Sequence, residues 1–138
     1  MVFPVIRKLT DHKVGPLDEA LEVVSLDEAG NGGAHHIYAI GQTQQVRSNN
    51  PAAPRQTRLV ELTRIRFQNG GVKENGVNGI SIESLLAISI DRLRCFQAGP
   101  YACESNANAL AKLEGALKDL QDRTRERMAR NVEGTLAK

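Results

Sequence analysis

Two different hydrophobic periods divide the chain. Up to about residue 74, apolar residues occur in short β-prone runs, "ALEVVSLDE" and "HHIYAIGQ", separated by the turn-forming "AGNGGA". "QVRSNNPAAPRQT" predicts an exposed loop, and "TRLVELTRIRF" is the longest predicted strand. The second half of that strand alternates between an apolar face and a basic face, formed by Thr63, Ile65 and Phe67 and by Arg64 and Arg66. We therefore predict a β-rich region over residues 1–74.

From about residue 75 the hydrophobic period becomes that of an α-helix. "GISIESLLAISIDRLRCFQ" predicts a helix with Ser81 as its N-cap and with Ile80 and Leu85 at the positions of a hydrophobic staple. "AGP" ends this helix, because Gly99 can take a positive φ and Pro100 cannot continue a helix.

A second helix is predicted from about Ser105 to Ala129. Its leucines follow a 3-4-3 spacing that is typical of a helix packed lengthwise on a partner: Leu110, Leu113, Leu117 and Leu120. The short turn between the helices favours an antiparallel hairpin. The predicted fold class is thus α+β, with an N-terminal antiparallel β-sheet region followed by a C-terminal antiparallel two-helix hairpin over residues 75–138.

The leucine seam becomes polar at both ends. Extended backwards, the spacing reaches Asn106 and then Cys103, and extended forwards it reaches Thr124 and Arg127. A polar residue at a seam position lowers stability unless it has a partner, which could be another chain or a ligand. Arg123 lies beside this end of the seam, on the helix face that carries Arg127.

Each of these residues has a structural and a functional interpretation. Arginines in the last turns of a helix favour the negative end of the helix dipole, and they also bind phosphate through paired contacts. Phe96, next to the turn, either closes the core beneath the turn or stacks on a base. The sequence leaves both alternatives open.

Composition narrows the function classes. The 138 residues carry a net charge of only +2, so composition does not indicate a nucleic-acid binder. We find no apolar run of the ~20 residues that span a bilayer and no signal-peptide pattern, and we expect a cytoplasmic protein with Cys95 and Cys103 reduced. His35 and His36 lack the companions of a ligand set, so no metal and no cofactor is expected. No catalytic motif is present, so no enzyme is expected.

Residues 67–135 resemble the helical hairpin shared by two groups of phage anti-immune proteins, the Thoeris anti-defence sponges and the anti-CBASS cyclic-nucleotide sponges. The matching stretches are "FQNG", "NGI…ESLLAI…IDRL", "FQAGP-ACE-N", "AL-KLE-AL--L--RT--R" and "VEGT". The β-rich segment before the hairpin resembles the anti-Thoeris group, because the anti-CBASS sponges are almost entirely helical. Asn131 departs from the pattern, since relatives usually have Gly there.

The resemblance implies a phage protein, acting in the cytoplasm of the infected bacterium, that binds cyclic ADP-ribose isomers without cleaving them. It implies a homo-oligomer, either a dimer or a hexamer built from dimers, whose ligand pocket lies where helices of two protomers meet. Phe96 matches the aromatic residue that stacks on adenine, Asn106 matches a polar ligand contact, and Arg123 and Arg127 match ligand-contacting arginines. Thr124 joins this set from its seam position. Some relatives also hold cyclic di- or trinucleotides.

Three other functions compete with the sponge interpretation. A structural adapter would use the hairpin for protein–protein contacts. A nucleic-acid-binding protein would use Arg64, Arg66 and the basic tail, although the near balance of acids and bases disfavours a nucleic-acid polymer as partner. A nucleotide hydrolase would need catalytic groups that the sequence does not show.

Overall fold

The computed structural model describes residues 7–46 and 48–137. The chain divides into two compact units, Met1–Asn69 and Gly70–Lys138. In the described part of the chain, no helix is long and apolar enough to span a membrane. The first unit is a β-sheet and the second is helical, so the predicted α+β class is confirmed.

The first unit is a four-stranded antiparallel sheet in which the strands follow their order along the chain. Its strands are β1 (Arg7–Leu9), β2 (Leu21–Ser25), β3 (Ile37–Val46) and β4 (Gln56–Arg66), with a short helix α1 (Pro16–Ala20) between the first two. The two longest strands extend into the segment that the sequence predicted as a loop. That prediction was therefore wrong at both ends of "QVRSNNPAAPRQT", because cross-strand pairing continues from Gln45 to Thr57 and from Val46 to Gln56.

The sheet buries a small core at its centre. Val24 and Ala39 pair across β2 and β3, and each is only 1% exposed. The register between β3 and β4 shifts after Ile40, so that Leu62 becomes an extra residue in β4 and is 62% exposed. Gly41 lies at this bulge, where a Cβ atom would approach the carbonyl oxygen of Val60 too closely.

The two adjacent histidines of the sequence lie against an aspartate. The Asp27 carboxylate accepts hydrogen bonds from the backbone N–H groups of His36 and Ile37, at 2.9 and 3.1 Å. Desolvation would raise the pKa of Asp27, but these bonds and the imidazoles of His35 and His36 lower that pKa below its ordinary value. Among the described residues, no three His, Cys, Asp or Glu side chains are grouped so as to hold a metal ion.

The second unit is the predicted hairpin. It contains a four-residue helix α2 (Val72–Asn75), followed by α3 (Ile82–Gln97) and α4 (Glu104–Ala129). The Ser81 hydroxyl accepts a hydrogen bond from the backbone N–H of Ser84, as an N-cap does, so that prediction is confirmed. Gly99 does not take a positive φ. Helix α3 ends at Gln97, and its C-cap Ala98 is in a right-handed conformation.

The predicted seam faces the inside of the hairpin. On α4 the half-buried residues are spaced along one stripe: Asn106, Leu110, Leu113, Leu117, Leu120, Thr124 and Arg127. Ile90 of α3 is 2% exposed and is the one fully buried residue in α3 and α4, both of which the structure describes throughout. Two helices alone therefore leave much of the leucine ridge in contact with water.

Candidate functional site

An open cleft of about 270 Å³ lies at the end of the hairpin where α3 begins and α4 ends. Five polar side chains line it: Glu83, Arg123, Thr124, Arg127 and Glu133. Two of them are acids and two are permanent cations, so the cleft is charged but formally neutral. Three of the five predicted ligand-binding residues, Arg123, Thr124 and Arg127, therefore lie together.

The chain's own C-terminal segment holds Arg127. The Arg127 Nε donates to the carboxylate of Glu133 at 2.9 Å, and Nη2 donates to the carbonyl oxygens of Val132 and Thr135 at 3.1 and 3.0 Å. Nη1 donates to the carbonyl oxygen of Ala137. Four of the five guanidinium N–H groups are therefore used within the protein, and the partner that this polar seam residue requires is the C-terminal segment.

The C-terminal segment also contacts the residues at the start of α2. Asn131 has a φ of 59°, a left-handed conformation that Asn tolerates better than most residues, and the chain turns back there after α4. Gly134 then contacts the start of α2, where its carbonyl oxygen accepts a hydrogen bond from Lys73 N–H at 3.1 Å. A Cβ atom on Gly71 would collide with that carbonyl group, so the close approach requires glycine.

Arg123 and Glu83 are unpaired in the cleft. Among residues 7–46 and 48–137, neither side chain makes a hydrogen bond or an ion pair. Two neighbouring acids have other partners, since Glu126 pairs with Arg130 and Asp122 pairs with Lys118 and Arg125, and Asp119, one turn earlier, makes no ion pair with Arg123 in the described chain. Arg123 therefore presents a guanidinium that is ready for an anion, and Glu83 presents a carboxylate that is ready for donors.

The other two predicted residues lie at the turn end of the hairpin. Phe96 is half-buried and meets the ring of Tyr101 edge-on, with the ring centroids 6.2 Å apart. The Arg92 guanidinium lies 5.0 Å from the centre of the Phe96 ring. Arg92 is one helical turn before Phe96 and was missed by sequence reasoning, although the four-residue spacing signals such a pair.

Hydrogen bonds hold the turn between α3 and α4, and Asn106 in the first helical turn of α4 contributes one of them. Asn106 Nδ2 donates to the carbonyl oxygen of Tyr101 at 3.3 Å. The Gln97 side chain holds the backbone of Cys103 on both sides, since its Oε1 accepts from Cys103 N–H at 3.0 Å and its Nε2 donates to the Cys103 carbonyl at 3.2 Å. Phe96 and Asn106 therefore lie on either side of a turn that these hydrogen bonds hold in place.

The two groups of predicted residues lie far apart in one chain. Asn106 and Thr124 are 18 residues apart in the continuous helix α4, which at 1.5 Å per residue places them about 27 Å apart. A small ligand cannot contact both groups in a single hairpin. The structure thus joins Arg123, Thr124 and Arg127, separates them from Phe96 and Asn106, and adds Glu83 and Glu133.

We expect Arg127 to stabilise the fold through its contacts with the C-terminal segment. Arg127→Lys keeps the charge but loses the guanidinium fork, so several carbonyl oxygens lose their donor, and the free energy of unfolding should fall by about 1–3 kcal/mol. The measurement is denaturant unfolding followed by circular dichroism at one protein concentration. Arg125→Lys is the matched control, because Arg125 is 66% exposed and pairs only with neighbouring Asp122 among the described residues. Equal effects of the two changes would contradict the role assigned to Arg127.

Comparison with known proteins agrees with this architecture. Residues 60–123, which are 64 of the 138, match the family model described as the Acb2/Tad1 hairpin domain. A protein of Bacillus phage SBSphiJ7, named Thoeris anti-defense 1, is 48% identical over 75 residues. That match covers 54% of this chain and 53% of the phage protein, so it spans about half the length of this relative. The resemblance predicted from the sequence is confirmed.

Proposed function

From the match of residues 60–123 to the Acb2/Tad1 hairpin domain, we propose that this protein is a phage anti-defence sponge. It binds cyclic ADP-ribose isomers in the cytoplasm of the infected bacterium and withholds them, intact, from the defence effector. The name of the relative from the Bacillus phage supports the anti-defence role. Sequestration requires no general base and no nucleophile, which agrees with the lack of a catalytic motif in the sequence.

The observation that carries the proposal is the unpaired Arg123 in a cleft beside the first turn of a helix. The cleft contains Glu83, which lies in the first turn of α3, where the helix dipole favours an anion. A cyclic ADP-ribose offers two phosphates to Arg123 and one purine to an aromatic face. These are the two kinds of contact that the hairpin presents, at its open end and at its turn end.

Because the cleft and the Phe96 end of the hairpin are far apart, a complete ligand site requires a second copy of the chain. The cleft, at about 270 Å³, is smaller than most ligand pockets, which measure about 300–1,000 Å³, and no aromatic residue of the described chain lines it. A second copy packed antiparallel would bring its Phe96 and Asn106 beside the first copy's Arg123 and Thr124. Two-fold symmetry would then create two equal sites per dimer. The half-buried leucine ridge of α4 gives such a dimer an apolar surface to bury.

A structural adapter is the second candidate, because the same leucine ridge would also accept a helix of another protein. The two functions differ in the group that Arg123 contacts. An adapter would place it in a protein interface, whereas a sponge places it on a phosphate.

The test is capture and release of ligand. The purified protein is mixed with a cyclic ADP-ribose isomer or with a cyclic trinucleotide, the unbound fraction is removed, and the protein is denatured by heat. We expect the intact cyclic ADP-ribose isomer to be recovered by chromatography in stoichiometric amount. Recovery of no nucleotide would favour the adapter, and recovery of a cleaved product would overturn the assignment as a sponge. Release of intact trinucleotide would extend the ligand class.

A further inference from the structure

Glu83 is the one feature of the cleft that phosphate binding does not explain. It is half-buried in the first turn of α3, and among the described residues its carboxylate has no hydrogen-bond donor and no ion-pair partner. A carboxylate in a phosphate site repels the ligand unless something neutralises it. Its presence beside Arg123 in the same cleft therefore restricts which ligands fit there.

The other acid in the cleft is already neutralised. Glu133 accepts from Arg127 Nε at 2.9 Å, and most of the remaining Arg127 donors point to carbonyl oxygens. Thr124 likewise donates its hydroxyl to the carbonyl oxygen of Leu120 at 3.2 Å. The cleft thus leaves two groups for a ligand, the donors of Arg123 and the acceptor oxygens of Glu83.

A ligand that satisfies both groups must carry an anion and hydroxyl donors a short distance apart. A ribose phosphate has this chemistry, since vicinal hydroxyls donate to a carboxylate, and acidic side chains hold the ribose of dinucleotides in this way. Any cyclic ADP-ribose closed through a single ribose hydroxyl keeps a vicinal diol on its other ribose. A bare pyrophosphate offers no such donors and would meet Glu83 as a like charge.

Resting on the function proposed above, we propose that Glu83 recognises the ribose diol of the ligand while Arg123 binds the phosphate. Glu83 is then a specificity-determining residue. It favours ligands with free ribose hydroxyls, and it disfavours those that bring only negative charge. The other role open to a first-turn glutamate is stabilisation of the helix N-terminus, which depends on no feature of the ligand.

The experiment compares wild type with Glu83→Gln by calorimetric titration with three probes. The probes are a cyclic ADP-ribose isomer, the analogue that lacks one hydroxyl of the free diol, and inorganic pyrophosphate. We expect wild type to prefer the full diol by about 10- to 100-fold, the value of a charge-assisted hydrogen bond. Glu83→Gln should lose most of this preference and should bind pyrophosphate more tightly than wild type does.

Glu19→Gln is the matched control. Glu19 is an acidic residue in the first turn of α1, and it does not line the cleft. Its replacement removes the same helix-dipole contact and should leave the diol preference unchanged.

The outcomes separate the two proposals. A wild type that binds the cyclic ligand, together with a Glu83→Gln variant that keeps the diol preference, would overturn the role of Glu83 and leave the sponge function standing. A wild type that binds none of the cyclic ligand would overturn the sponge function and the role of Glu83 with it. Equal loss for all three probes in Glu83→Gln would mark Glu83 as structural and would also overturn the assignment.

Discussion

Arg123→Ala should lose about 2–3 kcal/mol of binding free energy for a cyclic ADP-ribose isomer, a roughly 30- to 150-fold rise in Kd, since it removes charge-assisted contacts to phosphate. Arg123 makes no hydrogen bond or ion pair within residues 7–46 and 48–137, so its removal breaks no contact of the described fold. Unfolding free energy should therefore change by less than about 0.5 kcal/mol. Calorimetric titration and denaturant unfolding measure the two quantities.

Arg125→Ala is the control that isolates this effect. It lies on the same helix, two residues away, and its change alters helix propensity equally, but Arg125 pairs with Asp122 and does not line the cleft. We expect its Kd to stay within about twofold of wild type, because exposed ion pairs contribute little. An Arg123→Ala protein that binds as tightly as the Arg125→Ala protein would remove Arg123 from the site.

The helical unit was predictable because its signals are local and agree with each other. Ser81 caps α3, and the leucine period fixes which face of α4 turns inward. The same period, extended by simple counting along the sequence, predicts the seam positions of Asn106, Thr124 and Arg127, and all three are half-buried in the fold. The local hydrophobic period was therefore enough to predict the hairpin and part of the candidate site.

The sheet was less predictable because strand ends depend on pairing. Polar residues such as Gln44 and Gln45 have no burial pattern, yet they lie in β3 because β4 pairs with them. The three residues of β1 and the four of α2 are too short for any period to show. Tertiary contacts decide such elements, and a single sequence does not record those contacts.

The partner of Arg127 was unpredictable for a related reason. The seam spacing indicated that Arg127 requires a partner, and the alternatives were another chain or a ligand. The structure supplies a third answer, because the positive φ of Asn131 turns residues 132–137 back along α4. Arg127 is therefore held by its own chain, and Arg123 remains as the available cation for the ligand.

Subunit complementation should restore wild-type affinity from two variants that each bind weakly alone. If each site joins Phe96 of one protomer to Arg123 of its partner, a heterodimer of Phe96→Ala and Arg123→Ala chains contains one intact site and one doubly defective site. Differently tagged chains, purified in tandem, should therefore bind about half as much ligand as the wild-type dimer, with unchanged Kd. Each variant alone should bind weakly, because every site then lacks one essential group.

The reciprocal heterodimer distinguishes this geometry from a site within one chain. A wild-type chain paired with a Phe96→Ala/Arg123→Ala chain has no intact shared site, because each site receives one defective half. It should therefore bind weakly, although a site contained in one hairpin would survive in the wild-type chain and keep about half the capacity. The roughly 27 Å that α4 places between the two groups favours the shared site. Binding by this second heterodimer, with none by the first, would overturn it and require a single hairpin to hold the whole ligand.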